Sequence, residues 1–243
     1  MTFIRSLLFN IYLFGGTGII ALILLVLMPF SSQEMRKGSQ FWTRYVMWGM
    51  RNITGIDYEV RGLENLPESG AIIACKHQSA WDTAIFVLLR LSTAYILKKE
   101  LLKIPFYGWY VKRSGHIAVD RAAGASALKN MVRDVKEALG KGRNVVIFPE
   151  GTRSFPGEAG DYQPGVAAIY TQTKQPVIPV GLNSGVFWGR RSFLKKPGKI
   201  VIEIMPAIEP GLKRKEFMDV LEKTIEDKSR ELEAEALKKM SQS

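Results

Sequence analysis

The sequence predicts an α/β domain built around a central sheet, preceded by an apolar helical segment. Three observations predict it. Leu7 to Phe30 is a run of 24 residues without a charge. From about Ile56 onward, short β-branched runs alternate with helix-like stretches, the pattern of a sheet covered by helices. No internal repeat or low-complexity linker breaks that alternation, and 243 residues suffice for one sizeable core. The chain is therefore divided into an N-terminal membrane-associated helical segment, residues 1–55, and one α/β domain, residues 56–243.

The apolar run comes first and is long enough to cross a bilayer. No small-residue cleavage pattern ends it, and it passes through Pro29 and Phe30, which fits a cleaved signal peptide poorly. "GGTG" (Gly15 to Gly18) falls in its middle, so one tilted helix and a hairpin of two shorter helices in one leaflet both fit. Arg36, Lys37, Arg44 and Arg51 follow the run, against Arg5 before it. If the run spans, that bias leaves the bulk of the chain on the cytoplasmic side. In "FWTRYVMWGMR", Phe41, Trp42, Tyr45 and Trp48 recur at near-helical spacing, suited either to the headgroup layer or to a core-facing stripe.

Strands are expected at Tyr58 to Arg61, Ala71 to Lys76, Ala94 to Leu97, His116 to Val119, Asn144 to Phe148, Val177 to Leu182 and Lys199 to Met205. "AIIAC" (Ala71 to Cys75) and "VVIF" (Val145 to Phe148) are short apolar runs of the kind that form buried strands. Helices are expected at Asp82 to Arg90, Ala125 to Leu139, Gly165 to Gln172 and from about Arg214 to Lys239. In the last, Phe217, Leu221 and Ile225 form a packing stripe behind a charged, solvated face.

A formal net charge of +11 favours anionic partners: nucleic acid, acidic lipid, a phosphorylated substrate or an acidic protein. Nucleic acid is disfavoured, because the basic residues are dispersed and no binding module is present. One cysteine, Cys75, excludes an internal disulfide framework, and Cys₂His₂ or Cys₄ zinc sites lack their ligands. Two histidines argue against a histidine-rich metal centre, so no metal site is assigned. G-x-S-x-G, G-x-x-x-x-G-K-[ST] and G-x-G-x-x-G are all absent, which argues against an α/β-hydrolase nucleophile, nucleotide hydrolysis and dinucleotide cofactors.

Three clusters remain that can do chemistry. In "KHQSAWD" (Lys76 to Asp82), His77 and Asp82 stand five apart, about 140° round a helix, and cannot meet within one. A turn carrying His77 between a strand and a helix that begins near Asp82 would allow a base and its orienting carboxylate. "FPEGTRS" (Phe148 to Ser154) starts at the carboxyl end of a strand, where open α/β sheets bind ligands. There Arg153 offers a planar fork suited to phosphate, and Glu150 can hold that arginine or a substrate hydroxyl. The bland alternative is a surface Glu–Arg pair closing a loop. In "SGHIAVDR" (Ser114 to Arg121), Arg121 lies just past another strand, while His116 has no carboxylate at a useful spacing and is ranked below His77. Cys75 is ranked as a small buried strand residue ahead of a nucleophile.

These residues resemble the glycerolipid acyltransferases. His77 to Asp82 spells their H-x-x-x-x-D signature, "GHIAVDR" their second block, "FPEGTRS" their third, and "QPVIPVGL" (Gln175 to Leu182) their fourth, in the family's order. Size and simplicity are most similar to the bacterial members that acylate 1-acylglycerol 3-phosphate. Lys76 departs from the asparagine often found there and adds a charge beside the base. The resemblance implies a central mixed sheet flanked by helices, and transfer of an acyl chain from acyl-CoA or acyl carrier protein to the 2-hydroxyl of lysophosphatidic acid, giving phosphatidic acid without a cofactor. It implies His77 as general base with Asp82 fixing its tautomer, and Glu150, Gly151, Thr152, Arg153 and Arg121 around the acceptor. A backbone N–H in the turn after His77 is the first place to look for an oxyanion donor. Membrane lipids are the remaining partners, and the implied location is the cytoplasmic side of a bacterial inner membrane. "VFWGRRSFLKKPGK" (Val186 to Lys199) alternates aromatic and basic residues and would meet anionic headgroups or acyl carrier protein, or be an ordinary basic loop. Rival functions are acylation of another lysolipid, such as lyso-ornithine lipid, non-catalytic binding of membrane lipid, and metal-dependent hydrolysis.

Overall fold

All seven expected strands form, and they join in one sheet. A computed structural model of the chain describes residues 1–26, 32–104 and 107–242. In chain order the elements are α1 (Thr2–Val26), α2 (Ser32–Gly49), β1 (Ile56–Arg61), β2 (Ile72–Cys75), α3 (Asp82–Leu89), β3 (Thr93–Lys98), α4 (Tyr107–Ser114), β4 (Ile117–Val119), α5 (Gly124–Gly140), β5 (Asn144–Ile147), α6 (Pro164–Thr173), β6 (Val177–Leu182), α7 (Ser184–Phe187), β7 (Gly198–Ile204) and α8 (Arg214–Ser241). The sheet order is β1-β7-β6-β2-β5-β3-β4. Five neighbouring pairs are parallel and one, β6 with β7, is antiparallel, so the sheet is mixed.

Alternation along the strands sends their side chains into two cores. Ile73, Cys75, Val146 and Val180 face α1, α2 and α3, while Ile72, Ala74, Val145 and Val177 face α5, α6 and α8. Both faces of the central strands are thus buried, which is why "AIIAC" and "VVIF" read as unbroken apolar runs. Pro179 sits in a central strand without breaking it. Its missing N–H falls between the Val177–Ile208 bridge and the start of the β7 ladder at Val180.

The N-terminal segment differs in detail from expectation. α1 runs unbroken through "GGTG", and its hairpin partner is α2. Tyr12 and Tyr45 stack with ring centroids 4.1 Å apart, and each hydroxyl donates to the other residue's carbonyl. Trp42 Nε1 donates to Thr17 Oγ1 at 3.0 Å. A contact of 12 with 45 and of 17 with 42 makes the two helices antiparallel. Gly16 is needed here, because a side chain at that position would collide with the Tyr45 ring. The aromatic stripe therefore splits: Trp42 and Tyr45 pack inward, while Phe41 and Trp48 are exposed. Thr2–Ile23 is long and apolar enough to cross a membrane, and Phe3, Ile4, Leu8, Ile11, Phe14 and Ile19 lie bare along it. Pro29 and Phe30 lie outside the described residues.

Two short helices have no counterpart in the expected elements. α4 spans only eight residues and starts with Tyr, Gly, Trp, Tyr and Val, weak helix formers. α7 is four residues long and buries Val186 and Phe187. Within "VFWGRRSFLKKPGK", Phe187, Trp188 and Lys195 are buried while Phe193 and Leu194 are exposed. Lys195 donates its backbone N–H to Ser6 Oγ at 2.9 Å and Phe3 packs on Phe193, so this loop is seated on the start of α1.

Candidate active site

β2 ends at Cys75 and α3 starts at Asp82, so a turn lies between them, as the spacing of His77 and Asp82 requires. Asp82 is fully buried at the start of α3, where the helix N-terminus favours a carboxylate. Its Oδ2 accepts from the backbone N–H of Gln78 and of Ser79, both at 2.7 Å, and meets His77 Nδ1 at 3.0 Å. Oδ1 accepts from Ser184 Oγ at 2.6 Å. Four partners thus fix this carboxylate. It holds His77 by Nδ1 and leaves Nε2 for the cavity that the ring lines. Phe148 stacks on the imidazole with centroids 4.0 Å apart. The His77 side chain is 12 % exposed, enough for contact with a ligand.

Glu150 lies elsewhere than expected. It is 3 % exposed and does not reach Arg153. One oxygen accepts from Lys76 Nζ at 2.8 Å, and the other from the backbone N–H of His77 at 2.9 Å. The Glu–Arg surface pair is therefore not what this loop contains. Lys76, read as a charge beside the base, is instead buried beneath it, ion-paired with both Glu150 and Glu226.

Arg121, Gly151, Thr152 and Arg153 line the same cavity as His77. Gly151 adopts a φ of +68°, and a side chain there would meet the Arg121 guanidinium at about 3.0 Å. Glycine thus serves both the left-handed turn and the close approach of the arginine. Neighbouring Asp120 pairs with Lys99 at 3.0 Å, not with Arg121. Among the described residues, neither Arg121 nor Arg153 has a carboxylate partner, so two guanidiniums without counter-charges face the cavity that holds His77. Arg153 is held by its backbone, whose carbonyl accepts from Arg190 Nη1 at 2.9 Å.

The cavity has a volume of about 1400 Å³ and runs from these arginines past His77 to an apolar wall that includes Phe14, Ile20, Met35 and Trp42. That volume exceeds what a small polar metabolite fills and suits a molecule with a charged head and a long apolar body. No group of three or more His, Cys, Asp or Glu capable of holding a metal occurs among the described residues. In the turn after His77, the amides of Gln78 and Ser79 are taken by Asp82 and that of Trp81 by Ser79 Oγ. Cys75 is fully buried with its thiol on the Lys76 carbonyl, and burial pushes its pKa well up, so it is no nucleophile. His116 also lines the cavity, but its Nδ1 accepts from the Tyr95 backbone N–H at 3.1 Å.

Sequence reasoning missed Ser184, Gln78 and Glu226. Ser184 stands two residues past β6, the strand beside β2, so the rule that ligands gather at strand carboxyl ends could have found it. Nothing local marks Glu226, which sits 150 residues from Lys76 on α8.

The paired histidine and aspartate, the mixed sheet and the two arginines at strand ends suit an acyltransferase. Residues 57–183 match the family model described as Acyltransferase, and the chain belongs to that family. It is similar to the 1-acyl-sn-glycerol-3-phosphate acyltransferase of Pseudomonas aeruginosa, 38 % identical over 208 residues, covering 84 % of this chain and 80 % of the relative. It is also similar to the coconut (Cocos nucifera) enzyme of the same name, 28 % identical over 77 % of this chain and 61 % of that one. In fold it matches the crystal structure of the 1-acyl-sn-glycerophosphate acyltransferase of Thermotoga maritima, with a TM-score of 0.76, 23 % identity, and coverage of 96 % and 98 % of the two chains.

Proposed function

We propose that the enzyme moves an acyl chain from a thioester, acyl-CoA or acyl carrier protein, to the 2-hydroxyl of 1-acylglycerol 3-phosphate, forming phosphatidic acid. One observation carries this reading: an imidazole held at Nδ1 by a buried carboxylate shares its cavity with two guanidiniums that lack counter-charges. Those guanidiniums suit a phosphate monoester, and the apolar wall suits its acyl chain. His77 Nε2 takes the proton of the attacking hydroxyl, while Asp82 stabilises the imidazolium. The alkoxide oxygen bonds to the thioester carbon, the C–S bond breaks, and the imidazolium returns the proton to the departing thiolate. Thiolate leaves readily, so no acyl-enzyme is needed, and the inert Cys75 is consistent with direct transfer. Gly151 and Thr152 border the phosphate, and Glu150 serves the site from below by holding the His77 amide.

The membrane belongs to the same proposal. Residues 1–55 form the membrane-associated unit and residues 56–243 the catalytic domain, facing the cytoplasm from a bacterial inner membrane. The bare apolar side of α1 and the exposed Phe41 and Trp48 on α2 support the membrane attachment.

The test is thiol release from palmitoyl-CoA by purified protein in detergent, with and without lysophosphatidate, and the lipid product identified by mass spectrometry. Acceptor-dependent release yielding phosphatidate, and its loss in His77→Ala, is the expected result. No release with palmitoyl-CoA or with palmitoyl–acyl carrier protein, for lysophosphatidate as for other lysolipids, would overturn it.

A further inference from the structure

Lys76 is a buried cation, 1 % exposed, at the position immediately before His77. Its three N–H groups are all engaged: with Glu150 Oε1 at 2.8 Å, with the Glu226 carboxylate at 2.8 and 2.9 Å, and with the Glu158 carbonyl at 2.9 Å. Each acceptor comes from a different part of the chain. Glu150 belongs to the "FPEGTRS" turn, Glu158 to the loop that follows it, and Glu226 to α8 on the far side of the sheet. Glu150 in turn accepts from the Gly160 backbone N–H at 3.2 Å with the oxygen that Lys76 binds, and from the His77 N–H at 2.9 Å with the other. A side chain at Gly160 would press on that carboxylate, so the loop closes over Glu150 only because glycine stands there. Tyr162 completes the cluster by donating its hydroxyl to Glu226 at 3.0 Å.

A burial of this kind is costly unless it does something. Removing charges from water is expensive, and an apolar set of equal volume is often as stable. Here the charges lie in a chain that ends on the main chain of the residue carrying the base. We infer that Lys76 is a positioning residue for acyl transfer: it fixes Glu150, which through the His77 amide sets where the imidazole stands, while Glu226 of α8 serves only as a second counter-charge to Lys76. Asp82 then fixes the ring's rotation and Glu150 its backbone. Lys76 touches neither substrate nor reacting atoms. The inference rests on His77 acting as the base.

Three variants test it against a merely structural role, in full-length protein assayed with palmitoyl-CoA and lysophosphatidate. Lys76→Met leaves two carboxylates buried without their cation. Its kcat should fall about 10- to 100-fold, the scale of a small misplacement of a catalytic group, with the acceptor KM within about threefold. Its Tm should drop by about 10 °C, as for a broken buried ion pair in a chain of this size. Glu226→Gln keeps the Lys76–Glu150 pair, so kcat should stay within about threefold while Tm falls. Lys76→Met/Glu226→Gln removes the cation and one of its two carboxylates, leaving Glu150. Its Tm should recover part of what Lys76→Met lost, yet kcat should stay low because nothing holds Glu150. If kcat instead follows Tm across the three variants, Lys76 supports only the fold and the inference fails. Wild-type and His77→Ala controls separate that outcome from failure of the underlying reaction: an active His77→Ala protein sinks the base assignment itself.

Discussion

Two histidines face one cavity, and their surroundings give them opposite characters. His77 stands in the turn between β2 and α3, where Nδ1 meets the buried carboxylate of Asp82. His116 stands just before β4, where Nδ1 accepts a backbone N–H and the nearby charges are the guanidiniums of Arg143 and Arg36. Burial, then those two arginines, push the His116 pKa down to about 3. Burial first, and the two arginines second, keep the His116 ring from accepting a proton. Access to the cavity is common to both, so the two rings differ in their surroundings: a buried carboxylate meets one Nδ1 and a backbone N–H the other.

The comparison can be broken or sharpened by substitution. The largest effect is expected at the carboxylate: Asp82→Asn should lower kcat by about 10² to 10⁴, as loss of the orienting carboxylate does in related dyads and triads, with acceptor KM little changed. An Asp82→Asn enzyme within tenfold of wild type in steady-state kinetics would remove the distinction drawn above. Next comes the anion site. Arg153→Ala should raise the acceptor KM about 10- to 100-fold while kcat moves by less than about fivefold, which a lysophosphatidate titration reads directly. Ser184→Ala removes one of four donors to Asp82 and should cost about three- to tenfold in kcat, with Thr at that position restoring most of it.

The smallest effect on activity is expected at the other histidine, with kcat of His116→Asn within about twofold of wild type. Its signature is in stability. The folded pKa lies below the ordinary 6.5, so the unfolded chain takes up a proton that the folded chain refuses. The contribution of neutral His116 is complete above pH 6.5 and is lost as pH falls from there towards 3. Asn can accept from the Tyr95 N–H without titrating. Thermal melts of His116→Asn between pH 7 and 4 should therefore fall less steeply than those of wild type, and equal slopes would mean that His116 does not titrate with unfolding.

The order of strands and helices was legible because each buried strand is a short apolar run and each long helix carries its stripe. α4 was not, since its first five residues, Tyr-Gly-Trp-Tyr-Val, are weak helix formers and the helix packs against α2. At the site, the turn that lets His77 meet Asp82 was legible from their spacing, because it is set locally between β2 and α3; the part given to Arg153 came with the family resemblance. The direction of Glu150 was not legible. Its partner, Lys76, is 74 residues away and had been read only as a charge beside the base, and the second carboxylate of the cluster is farther still, on α8. Local pattern gives the turn; pairings across the sheet give what the turn holds.

α1 has two jobs in one stretch of chain. Its outer side is bare and apolar, while Phe14, Thr17 and Ile20 on it form part of the cavity wall. Trimming the chain before α2 to obtain a protein that needs no detergent would therefore open the reaction chamber along one side. Water would reach the apolar recess, and an acyl chain bound there would lose one of its neighbours. For this enzyme, ease of handling and an intact chamber are competing demands on the same 25 residues.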